Sequence, residues 1–93
     1  MIIDNDRKLV IHDGVRLRLT STQFDLVSYL AAHPEYVRSR EQILIATRGY
    51  ASSFEASPRV VDTEVKRTRR KFEKAFGYCP IKTMYCEGYY WQE

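Results

Sequence analysis

Arg59, Thr63, Lys66, Arg67 and Arg70 are the side chains in this 93-residue sequence with the clearest chemistry to offer. Their spacing sets them on one side of a helix. The opposite side carries Val61, Val65, Thr68 and Phe72 at i, i+4, i+7 and i+11, a single apolar stripe. Within Pro58–Ala75 there are seven basic and three acidic residues, a net of +4, while the whole chain carries only +3. The excess positive charge therefore sits on one helix. An apolar back and a basic front suit the major groove of double-stranded DNA, where long cations reach guanine edges and phosphate oxygens.

The elements that must hold this helix are legible in the same way. Ser57 offers a hydroxyl to cap free amides, Pro58 has a preset φ and no amide to waste, and Gly77 supplies a left-handed stop. Residues 1–19 read as extended, with β-prone runs at Ile2-Ile3, Leu9–Ile11 and Val15–Leu19. The Asp13-Gly14 pair predicts a hairpin turn, and the alternation from Val15 to Leu19 sends Arg16 and Arg18 to the solvent side. Thr20 with Gln23, and Ser39 with Gln42, are two capping boxes. The first opens a helix with Phe24, Val27, Leu30 and Ala31 on one face, closing at His33-Pro34. The second opens a helix through Ile43, Leu44 and Ala46 to Arg48. Residues 49–56, GYASSFEA, are either a plain connector or an interaction loop built on Tyr50 and Phe54. After Cys79-Pro80, the runs Ile81–Met84 and Tyr89–Trp91 flank a glycine-containing turn and read as a hairpin. Tyr89 and Trp91 alternate with Tyr90, so two of the three face the core; a base-stacking platform is the rival reading.

Strands, three helices and a terminal hairpin give an α+β fold, a winged helix-turn-helix with an N-terminal antiparallel sheet and a C-terminal wing. The length fits one domain over residues 1–93: sheet 1–19, three-helix core 20–76 and wing 80–92. An isoelectric point near 9.0 fits a polyanionic partner. No apolar run approaches the roughly 20 residues of a membrane span, and the N-terminal MIIDNDRK lacks a signal layout. Cys79 and Cys86, without neighbouring histidines, make neither a zinc site nor a disulfide framework, which points to a reducing cytoplasm. His12 and His33 read as surface or turn residues, and no catalytic constellation, metal site or cofactor is expected. Tyr85 beside basic residues has none of the activating groups that a strand-cleaving tyrosine needs.

From Leu19 onward the chain resembles the C-terminal effector domain of OmpR/PhoB-type two-component response regulators. Leu19-Thr20 with Gln23-Phe24 matches the family's first helix start, and Ser39-Arg40-Glu41 matches the second. Arg59, Val61-Asp62, Val65 and Arg67, continued by Arg69 and Lys71, follow its third helix; Thr83 with Gly88-Tyr89 follows its wing. The resemblance implies a four-stranded N-terminal sheet, three helices and a wing. It also implies head-to-tail dimers on direct repeats of double-stranded DNA, the third helix in the major groove, and a loop 49–57 that meets RNA polymerase.

Within that frame Thr63, Lys66, Arg67 and Arg70 are expected in the groove, with the Thr63 methyl suited to thymine. Arg59 at the helix N-terminus is expected on a phosphate. Thr22, Arg40, Arg48 and Thr83 are further phosphate candidates. Arg69 either edges the basic face or pairs with Asp62. Four departures from the family stand out. Thr68 occupies a usual leucine position; Thr68→Leu is expected to stabilise the fold where there is room, and to overpack it where the core has closed around threonine. Glu64 replaces a frequent histidine, either accepting from a cytosine amino group or pairing with a neighbouring cation. Tyr85 stands where a wing arginine is common, and Cys86-Glu87 replace small residues at the tip. The alternative to DNA reading is a winged helix used only for protein contacts.

Overall fold

A computed structural model describes residues 1–48 and 57–93, the Arg48 side chain excepted. Each β-prone run of the N-terminal segment becomes one strand: β1 (Ile2–Asp4), β2 (Leu9–His12) and β3 (Val15–Arg18). They form an antiparallel sheet in the order β1-β2-β3, with Leu9 opposite Arg18 and His12 opposite Val15 across the Asp13-Gly14 turn. Among the described residues the sheet has three strands, one for each run of residues 1–19, where the family resemblance implied four. His12, expected as a surface or turn residue, stands half-buried beside the Asp13-Gly14 turn. At the end of β2 its half-buried ring meets Phe76 and Tyr78 edge-on, at 5.6 and 5.5 Å between ring centres.

Both capping boxes form. In α1 (Ser21–Ala32) the Gln23 amide donates to Thr20 Oγ1 and the Thr20 amide to Gln23 Oε1, both at 3.2 Å. In α2 (Arg40–Arg48) the Ser39 and Gln42 bonds are 2.9 and 3.1 Å. The basic helix is α3 (Arg59–Phe76). Its first turn is tight: the Val60 and Val61 amides donate to the Ser57 and Pro58 carbonyls, and the Arg59 amide donates to Ser57 Oγ at 3.3 Å. Gly77, at φ +85°, ends it by donating its amide to the Glu73 carbonyl at 2.9 Å.

Phe24, Leu26, Leu30, Ile43, Val61, Val65, Phe72 and Trp91 meet in one core between the helices, with Val10 and Leu19 closing it from the sheet side. The hairpin, β4 (Ile81–Met84) and β5 (Gly88–Trp91), pairs Ile81 with Trp91 and Thr83 with Tyr89. Its base is sunk in this core, because Ile81 and Trp91 are both buried. Arg38 extends the hairpin by a bridge to Tyr89: amide to carbonyl at 2.8 Å one way and 3.0 Å the other. Gly88 makes this approach feasible. At φ +147°, a Cβ there would lie 1.9 Å from the Arg38 carbonyl oxygen.

Candidate nucleic-acid interface

One helix presents three different faces. The stripe Val61, Val65, Thr68 and Phe72 is buried against the core, and the Thr68 hydroxyl donates to the Glu64 carbonyl at 2.7 Å. On the opposite side Arg59, Thr63, Lys66, Arg67 and Arg70 are all exposed. The Thr63 hydroxyl donates back to the Arg59 carbonyl at 3.3 Å. Glu64 does not stand alone on this front: its Oε1 lies 3.5 Å from Arg67 Nη1, which partly neutralises both. Arg59, Lys66 and Arg70 make no ion pair among the described residues. These three are the cations of this front with the most to offer a polyanion.

The third face belongs to the hairpin. Arg69 and Asp62 do not pair with each other; they are seven residues apart, about 10 Å along the axis. Arg69 instead donates to the Ile81 carbonyl at 3.1–3.2 Å and to Thr83 Oγ1 at 2.7 Å. Asp62 accepts from the Tyr89 hydroxyl at 2.7 Å and from Arg40 Nη1 at 2.9 Å. Of the sequence candidates, Arg40 is joined to this junction through Asp62, and Arg69 and Thr83 through the bond between them. Burial, followed by the bond to and charge of Asp62, pushes the Tyr89 hydroxyl up to about 12 from the usual tyrosine value near 10.

An open groove of about 350 Å³ runs between this junction and the hairpin tip, with Arg40, Asp62, Tyr85 and Tyr89 among its walls. Tyr85 stands 87% exposed at the tip. Thr22 is half-buried and borders a small void between the helices with Leu26, Ile43 and Val61. The Arg48 side chain and residues 49–56, including Tyr50 and Phe54, lie outside the described residues. Trp91 is buried edge-on to Phe72, and Tyr89 is packed against the core, so the base-stacking platform is not formed. Sequence reading missed the part played by the Tyr89 hydroxyl and the Arg38 bridge. The available signal was the i, i+7 spacing of Asp62 and Arg69, which puts both on one side of α3.

A three-helix core whose third helix is basic on its free face, flanked by a two-stranded hairpin, defines a winged helix-turn-helix domain. Residues 14–91 match the family described as "Transcriptional regulatory protein, C terminal", and the chain belongs to that OmpR/PhoB-type family. It is 37% identical over 89 residues to the transcriptional regulatory protein SrrA of Staphylococcus aureus, covering 94% of this chain and 36% of that protein. The chain thus spans about a third of the length of this relative. The DNA-binding domain of Bacillus subtilis CssR superposes with a TM-score of 0.82 at 32% identity, over 98% of each chain. The DNA-binding domain of the response regulator AdeR, solved in complex with an intercistronic region, gives 0.85 at 25% identity, over 99% of this chain and 93% of that one.

Proposed function

We propose that this chain is a sequence-specific double-stranded DNA-binding domain, the effector part of a bacterial two-component transcriptional regulator. In this reading α3 enters the major groove and the hairpin lies over the flanking backbone or minor groove. The observation that carries it is the free face of α3: Arg59, Lys66 and Arg70 unpaired among the described residues, on a helix whose reverse side is buried. Thr63, Lys66, Arg67 and Arg70 read base edges and adjacent phosphates, and Arg59 holds a phosphate at the helix start. Arg40, Arg48, Thr22 and Thr83 supply backbone contacts, with Arg69 and Tyr85 at the wing. The AdeR complex supports the reading, since that domain was solved bound to DNA.

The finer arrangement follows the family: one domain over residues 1–93, head-to-tail dimers on direct repeats, loop 49–57 toward RNA polymerase, and a cytoplasmic setting. Selection of bound sequences from a random duplex pool tests the proposal, with mobility shifts of the winners over a salt series. We expect enrichment of a repeated motif and affinity that falls steeply with salt. A chain that enriches no motif and shifts no duplex at low salt would leave protein contact as the function.

A further inference from the structure

The hairpin is fastened to α3 at one level along its length. Tyr89 lies along the side of the helix marked by Asp62 and Arg69. Its hydroxyl donates to Asp62 Oδ1 at 2.7 Å, and the Arg69 guanidinium sits over its ring, 5.6 Å from the centre. Arg69 also donates to the Ile81 carbonyl and to Thr83 Oγ1. Thr83 and Tyr89 are cross-strand partners, so both strands are tied to α3 at the same height. Below that level Ile81 and Trp91 are held by the core; above it residues 84–87 are all exposed. The Thr83–Tyr89 pair is the outermost point at which the hairpin is gripped.

We propose that Asp62, Arg69 and Tyr89 are positioning residues that lock the outer half of the hairpin to α3, so that helix and wing tip meet DNA as one rigid reader of fixed spacing. The proposal rests on the DNA-binding reading and deepens it, because it gives Arg69, one of the seven cations of the helix, to the wing and not to the groove. Bonds in which one partner is charged are among the stronger hydrogen bonds, and here both the carboxylate and the guanidinium are used. Arg40 on the second oxygen of Asp62 holds the carboxylate in place and offsets its charge beside a phosphate backbone. An ordinary tyrosine already keeps its proton through the neutral range, and burial and Asp62 hold that of Tyr89 more tightly still, so the lock persists there. A reader ordered before binding has less freedom to lose on a site where both elements fit.

Tyr89→Phe removes the hydroxyl and leaves the ring; Asp62→Asn removes the charge and keeps the shape. Both are made in the full 93-residue chain. Residual dipolar couplings of the free protein are measured first. In the wild type, amides of α3 and of residues 82–89 should fit a single alignment tensor, and in either variant the outer hairpin should need its own. Affinity is then measured on the selected duplex and on one with the wing-side flank scrambled. We expect that scrambling costs the wild type roughly tenfold, the scale of a lost base-pair contact, and each variant about twofold or less. Discrimination against a mismatch under α3 should stay as in the wild type. A general loss of stability would weaken all duplexes alike and leave the flank ratio intact. A single tensor in both variants, or an undiminished flank ratio, overturns the lock. A wild type that binds no duplex would remove the functional reading, and the dipolar couplings would still decide the lock.

Discussion

Thr68 is a hydroxyl placed where a hydrocarbon would be cheaper. It is 0% exposed, and its hydroxyl is satisfied by the carbonyl one turn back, so Thr68 buries no unpaired hydroxyl. Neither the void between the helices nor the groove beside the hairpin borders it. The sequence-based expectation that leucine would stabilise the fold presumed space at this position. With the core closed around threonine, Thr68→Leu should cost about 1–3 kcal/mol by overpacking. Denaturant melts check this, and base preference should be unchanged because residue 68 faces away from solvent. Tyr89 gives a second prediction at this scale. Its proton is held more tightly in the folded state than in the unfolded chain, so its contribution to stability is complete below about pH 10. That contribution is lost as pH rises toward about 12. Melts of wild type and Tyr89→Phe should therefore converge across that window; curves that stay parallel would mean that the hydroxyl is not held this way.

At the scale of the element, α3 divides its charges by direction. Lys66 and Arg70 are unpaired among the described residues on the free face, whereas Arg67 is shared with Glu64. Each of the first two, if it meets a phosphate, should contribute about one unit to the slope of log affinity against log salt. Lys66→Ala and Arg70→Ala should flatten the slope by that amount in salt titrations, and Arg67→Ala by less. The buried stripe and the basic front were legible in the sequence because both depend only on helical period, which three apolar residues with Thr68 and five polar ones opposite declare independently. The capping boxes were legible because their chemistry is completed within four residues. The face that grips the hairpin was not. Whether Arg69 meets Asp62, DNA or a strand depends on where residues 81–89 return in space, and periodicity carries no information about that.

At the scale of the molecule, the wing is held from three directions: the core at its base, α3 along its side and the Arg38 bridge across Gly88. The bridge leaves no room for a Cβ. Gly88→Ala should cost about 3 kcal/mol, from a forbidden contact with the Arg38 carbonyl and a strained φ together. Thermal melts measure it, and a loss under about 0.5 kcal/mol, the range of a neutral surface change, would mean that the bridge is not needed. Residue pattern brought the order of elements and the wing into view, and its three β-prone runs match the three strands of the N-terminal sheet, where the family resemblance implied four. The two thiols end up in opposite surroundings. Cys79 is buried and burial pushes it up, so little thiolate forms there, while Cys86 stands exposed at the hairpin tip. A thiol-reactive fluorophore would accordingly mark the wing tip alone in the unaltered protein, giving a built-in optical gauge of when and how closely that tip approaches a duplex.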